Sequence, residues 1–147
     1  TCKFLADRMS SMLLSSEHRS VSIGALEQFS LDVMQCELFT AQCPVPGFED
    51  NALAITFAHL RQLLDLVMGP DWTTFFAERD EGNSHRKGGS SGTKYARVKA
   101  SSAAALLEKV IEFEKKNSGF FAIGRADSRD KQKLYETILR KLRSFTD

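Results

Sequence analysis

Three histidines and three cysteines are the residues of this chain best suited to metal or nucleophilic chemistry, and their spacing supports neither. His18, His59 and His85 stand in unrelated contexts, with no His-Glu-x-x-His pair. That pair is what places two imidazoles on one helix face around a zinc ion. Cys36 and Cys43 lie seven residues apart across a proline-rich stop, and no Cys-x-x-Cys accompanies them, which makes a poor zinc half-site. The run Gly88-Gly-Ser-Ser-Gly-Thr-Lys94 resembles a phosphate loop only superficially. Thr93 separates Gly92 from Lys94 where the motif needs Gly-Lys, and no strand precedes it. Carboxylates are plentiful, but none stands in a context that would isolate or pair it for acid–base work. The expectation is therefore no catalytic residue, no metal ligand, no cofactor and no enzyme.

Basic side chains concentrate at the end of the chain. Arg125, Arg129, Lys131, Lys133, Arg140, Lys141 and Arg143 are offset by Asp127, Asp130 and Glu136. A surface that tracks phosphates has fewer acids and an aromatic or groove-reading motif beside it, so no nucleic-acid partner is expected. A solvated helix face with pairs such as Glu136–Arg140 accounts for the pattern. On a larger scale, residues 1–76 hold 4 basic and 9 acidic side chains, and residues 77–147 hold 16 and 10. The two halves carry −5 and +6. A dipolar module suits protein docking or one basic face near anionic lipid, with membrane contact at most peripheral, although the halves can also simply neutralise each other in the fold.

These residues must be positioned by helices. The chain has 147 residues, 42% apolar and 27% charged, with net charge +1. It is long enough for one domain with its own core, too apolar for disorder, and without a run of about 18 apolar residues to span a membrane. An odd cysteine count reads as reduced thiols and a cytoplasmic setting. The opening Thr1 suggests a fragment of a longer subunit. All three prolines fall between residues 44 and 70, which leaves room for long helices on either side.

Phe4, Met9, Met12 and Leu13 begin a helical pattern that breaks at Ser15-Ser16. From Ser22, the residues Ile23, Leu26, Phe29, Val33 and Cys36 recur at steps of three or four as one helix face. The segment from Cys43 to Gly47 stops it. Asp50 or Asn51 can cap the next helix, with Leu53, Phe57, Leu60, Leu64 and Val67 on its face, before Gly69-Pro70 ends it. Asp71 can cap a short helix with an aromatic knot, Trp72, Phe75 and Phe76. Residues 79–93 read as a flexible loop, with four glycines and no large apolar residue. A helix over about 101–116 carries Leu106, Val110 and Phe113, with Asn117-Ser-Gly119 as its C-cap. Phe120-Phe121-Ala-Ile can be an extended link but has no strand to pair with. The last helix begins at Asp127 or Ser128 and turns Leu134, Ile138, Leu142 and Phe145 to one side. The reading is all-α, an antiparallel bundle of five or six helices in one domain, 1–147.

Several segments, taken in order, carry a family likeness: ALEQFSLDVMQCELF at 25–39, PVPGF at 44–48, LRQLLDLVM at 60–68, DWTTFF at 71–76, KYARV at 94–98, ALLEKV at 105–110 and RDKQKLYETILRKLRS at 129–144. The chain resembles the C-terminal end of the animal exocyst component six family over about residues 20–145. Its 79–92 stretch is longer and richer in glycine and serine, and Ala100-Ser-Ser-Ala stands where the family has what looks like an Asn-Pro helix start.

The resemblance implies the terminal part of a helical rod, and a subunit that tethers secretory vesicles to the plasma membrane before fusion. It implies two kinds of partner, a Rab-family small GTPase in its GTP state and other exocyst subunits, and no cofactor. The alternatives are a purely structural packing segment and a basic lipid-contacting module. A Rab effector presents an apolar anchor with hydrogen-bonding neighbours, and Pro46, Phe48, Asp50 and Asn51 supply both within a stiff turn. The same residues also read as a hydrophobic staple from Phe48 and a cap from Asp50 or Asn51.

Overall fold

The computed structural model describes residues 2–42, 45–47, 52–84, 94–118 and 125–145. Six α-helices carry it: α1 (Cys2–Leu14), α2 (Ile23–Gln42), α3 (Ala58–Met68), α4 (Trp72–Ser84), α5 (Ala100–Ser118) and α6 (Arg125–Ser144). A 3-10 turn, Ala54–Phe57, leads into α3, and no strand occurs among the described residues. The chain is all-α, as its sequence implies.

The start of α2 follows from local chemistry, because the Ser22 hydroxyl accepts the Ala25 amide at 3.0 Å and so satisfies an orphan helix donor. Leu26 and Val33 on the expected face are buried, and Ile23, Phe29 and Cys36 are half-buried beside them. α3 is the centre of the bundle. Leu60, Leu63, Leu64, Leu66 and Val67 are all buried, because α2 covers one side and α5 another. Its entry differs from the expectation. The chain tightens into the 3-10 turn, whose N-cap position is Leu53 with no side-chain bond, while the Asp50 and Asn51 proposed as caps lie outside the described residues. A 3-10 start satisfies orphan amides through the backbone, as in Thr56 N–H to Leu53 O at 3.2 Å.

Three apolar stripes match their sequence reading only in part. In α1 the inward residues are Cys2, Ala6, Met9 and Leu13, and Phe4 stands 74% exposed with Met12 exposed beside it. Ala6 is wholly buried and lets α1 approach its neighbours closely, so the larger side chains face out. In α6, Ile138 and Leu142 are buried and Tyr135 joins them, while Leu134 is 57% exposed. The Tyr135 ring, with the Lys131 ammonium 5.5 Å from its centroid, takes the inward place expected of Leu134. In α5, Leu106, Leu107, Val110 and Ile111 are buried, but Phe113 is exposed. That helix also runs on through the expected cap at Asn117 as far as Ser118; Gly119 and the link at 120–123 lie outside the described residues. α6 begins at Arg125, two residues before the expected start.

α5 and α6 pack antiparallel as the most extensive helix pair. Lys131 pairs with Glu114 at 2.7 Å at one end and Arg143 with Glu108 at the other, so the two helices run in opposite directions. The expected Glu136–Arg140 pair is not formed. The bases of α6 reach instead across to α5 and to Asp80 of α4, which Lys141 meets at 3.3 Å. These partly exposed pairs set register more than they add stability.

α4 continues to Ser84, so residues 79–84 are helical where a loop was expected; 85–93 lie outside the described residues. The extension has anchors on its first turns. The Arg79 guanidinium donates to the Val98 carbonyl and lies 5.0 Å over the Phe75 ring. The aromatic knot is core, as expected: Phe75 packs edge-on to Trp72 and Tyr95, and Phe76 stacks on Phe145 at 5.9 Å.

The turn at Lys94–Arg97 is fastened through its first two residues to Asp71, which precedes α4, and to Glu78 within that helix. The Lys94 ammonium and the Tyr95 hydroxyl donate to Asp71 at 3.0 and 3.2 Å, and their amides donate to Glu78 at 2.7 and 3.1 Å. Bonds from the Thr74 side chain, Lys94 and Tyr95 hold the Asp71 carboxyl down at about 2, below its ordinary 3.8. A depressed carboxylate contributes stability that is complete above about pH 4 and lost as pH falls through about 2. In Asp71→Asn the melting temperature should therefore lie below the parent's at neutral pH, and the two acid-melting curves should converge near pH 2. Parallel curves throughout would show that the carboxylate is not the titrating group.

Candidate docking surface

Among the described residues no three His, Cys, Asp or Glu side chains gather where a metal ion could sit. His59 is half-buried, and its Nδ1 donates to the Thr56 carbonyl at 3.2 Å, a local tie within the turn that starts α3. The cysteines expected to be reduced are free at Cys2 and Cys36; Cys43 and His85 lie outside the described residues. No described helix is long and apolar enough to cross a membrane.

Of the four residues proposed as a partner contact, only Pro46 falls within the described part; Phe48, Asp50 and Asn51 lie outside it. Val45, Pro46 and Gly47 form an exposed turn beyond the end of α2. Gly47 has φ +91°, the left-handed conformation that the third position of a type II turn needs, with proline before it. A Cβ would meet open space there, so the glycine answers a backbone demand and not a packing one.

The sequence reading missed a larger feature beside this turn. Among the described residues, eight of the ten exposed large apolar side chains lie between Phe4 and Ile55: on α1, on α2, at the turn and at the start of the 3-10 segment. On α2 they are Leu31, Leu38 and Phe39, the last 67% exposed. At 100° per residue these three, with Gln28, Gln35 and Gln42, occupy the side of α2 opposite Leu26 and Val33. The signal was present in the sequence: α2 is apolar on two sides, and only one can face its own core. Between α1 and α2 this surface opens into an apolar cleft of about 380 Å³, lined by Cys2, Leu5, Cys36, Phe39 and, at its floor, Phe57.

The electrostatics around the cleft are acidic. α2 carries Glu27, Asp32 and Glu37 and no basic residue. Glu37 is held by Arg61 of α3 at 2.6 Å. Burial, and then the carboxylate of Asp32 with smaller effects from Cys2 and Glu37, pushes the Cys36 thiol up from its ordinary value. A raised thiol is a poor nucleophile, so Cys36 reads as cleft lining and not as a reactive centre.

A second, polar cleft of about 350 Å³ lies between α1, α3 and the start of α5, with Asp7, Ser10, His59, Arg97 and Lys99 on its walls. His59 is the described histidine on its walls, and its Nδ1 is engaged by the Thr56 carbonyl.

Residues 1–109 match the family described as "Exocyst complex subunit Sec15 C-terminal". The chain is 54% identical to exocyst complex component 6 of Caenorhabditis elegans over 97% of its own length and 16% of that protein's. It is 45% identical to the human protein of the same name, over 99% of the chain and 17% of the relative, and 35% identical to the Drosophila melanogaster one, over all of the chain and 18% of the relative. The chain thus spans about a sixth of the length of these relatives. No solved structure matches it. An all-α fold, a matching family description and identities of this size over the whole chain have one meaning: this chain belongs to the exocyst complex subunit family represented by component 6, and corresponds to its C-terminal region.

Proposed function

We propose that this chain acts within an exocyst subunit to tether secretory vesicles to the plasma membrane before fusion, and that it does so by docking a Rab-family GTPase in its GTP state. It works from the cytoplasm and packs against other exocyst subunits, with no chemistry of its own. The observation that carries the reading is the exposed Val45-Pro46-Gly47 turn, set at the end of an apolar surface. A turn stiffened by proline loses little entropy on binding. Phe48, Asp50 and Asn51 follow it in the chain and add an aromatic anchor and hydrogen-bonding groups.

Nucleotide dependence tests the function. A Rab effector binds the GTP-loaded form only, because the γ-phosphate orders the switch loops that it reads. A pull-down against a panel of Rab proteins in both nucleotide states should retain at least one GTP-loaded member and release its GDP form. Equal retention of both forms, or of neither, would leave only the packing role.

The site is tested separately by Asn51→Ala. As a contact, Asn51 should weaken GTP-Rab binding severalfold in a calorimetric titration while the melting temperature stays put. As a cap it should lower stability by about 1 kcal/mol and leave affinity alone.

A further inference from the structure

We infer that the outer face of α2, with the cleft between α1 and α2, is a docking groove for an amphipathic helix that carries basic residues along the edges of its apolar stripe. This surface is distinct from the turn at Val45–Gly47, and its occupant differs in chemistry from a GTPase switch region.

Three observations specify the occupant. The first is shape. Leu31, Leu38 and Phe39 run along about two turns of α2, and the cleft beside Phe39 is a recess bounded by Cys36, Cys2 and Leu5. An apolar ridge with a recess at one end fits a helix that lays side chains at i, i+3, i+4 and i+7 into it. The second is polarity. The cleft walls present almost only apolar atoms, so a polar loop would leave its backbone groups unsatisfied there, whereas a helix satisfies its own.

The third is charge. Asp32 borders the apolar face on the cleft side and Glu27 on the other, and α2 has no cation to answer either. Glu37 is already engaged by Arg61, and Asp32 takes only an amide bond from Gln28 at 3.2 Å. The cations of the neighbouring helix, Lys3 and Arg8, are exposed, but only Cys2 and Leu5 of α1 line the cleft. Flanking lysines or arginines on the incoming helix would meet these carboxylates, while an acidic helix would be repelled.

The test uses the full 147-residue chain and two designed helices of about five turns, one with a leucine stripe flanked by lysines and one with the same stripe flanked by glutamates. Fluorescence anisotropy at low salt should show the lysine helix binding roughly tenfold or more tightly than the glutamate helix. Phe39→Ser should weaken the lysine helix by roughly tenfold with no change in melting temperature, since the side chain is mostly outside the core. Asp32→Lys should weaken it as well and flatten its salt dependence. Alkylation of Cys36, followed by mass spectrometry to separate it from Cys2 and Cys43, should slow when the lysine helix is bound.

Equal affinity for both helices would overturn the charge assignment and with it the proposal. So would binding insensitive to Phe39→Ser, or unprotected Cys36, either of which would place the helix elsewhere. A concentration-dependent dimer of the chain alone, abolished by Phe39→Ser, would assign the face to a second copy and equally overturn it. None of these readouts depends on a Rab protein, so the groove and the GTPase site stand or fall separately.

Discussion

Truncating Leu64 to Ala is expected to destabilise the chain by about 2–5 kcal/mol. Leu64 is wholly buried in α3, the helix that touches both α2 and α5, and its neighbours Leu60, Leu63, Leu66 and Val67 are buried as well. The loss has two parts: the transfer free energy of the removed methyl groups, and the cavity left in a region that cannot collapse from either side. The contrasting substitution is Phe4→Ala. It removes a larger side chain, but one mostly in solvent, and should shift stability by no more than about 0.5 kcal/mol. Denaturant melts of both variants check the pair. A near-neutral Leu64→Ala would mean that α3 is not the centre of the bundle and that its stripe faces a partner.

That contrast also shows where the sequence was readable. The helices announced themselves through large apolar residues at regular spacing and through prolines confined to one window, so α2, α3 and α5 lie close to where periodicity puts them. The misplaced apolar residues share one cause: hydrophobicity marks which residues are apolar, not which side has a neighbour. Phe4, Met12 and Leu134 were read as core because they are large, whereas Ala6, Ala100, Ala103 and Ala104 are buried and gave no signal because they are small. The start of α3 lies later than expected because the chain first tightens into a 3-10 turn, whose N-cap position, Leu53, makes no side-chain bond. On the surface, the turn with Pro46 and Gly47 was legible from its residue types alone. The outer face of α2 was not, although its second apolar side was there to count. Family membership rested on long ordered segments, a kind of information that periodicity does not contain.

Lys109 is the residue that reading missed altogether, and its replacement by Met is expected to cost about 2–3 kcal/mol. It sits at the edge of the apolar arc of α5, where a lysine ordinarily points to solvent. Here it is the one buried charged side chain among the described residues. Its ammonium donates to the carbonyls of Leu13 at 2.7 Å and Ser15 at 2.6 Å, at the C-terminal end of α1, and its own carbonyl accepts the Val21 amide at 3.1 Å. One residue therefore closes α1, caps its last turn and ties the chain that leads into α2.

The cation is placed where the helix dipole is negative, which offsets part of the cost of burying it. Met keeps the stem and its packing but leaves both carbonyls without that donor. The effect should be local as well as global, with amide exchange in α1 rising more than in α3 or α5.

The pH dependence separates charge from packing. Burial pushes the Lys109 ammonium down from its ordinary 10.5. A lowered lysine means that the unfolded chain holds the proton more tightly. Stability from this group therefore rises as pH climbs from the shifted value toward 10.5. The difference between the parent and Lys109→Met should widen over that interval. A gap that narrows instead would show that the charge itself is net favourable in the fold. If Lys109→Met were neutral or stabilising at pH 7, the desolvation cost would exceed what the two carbonyls return, and α1 would be held by its apolar stripe alone.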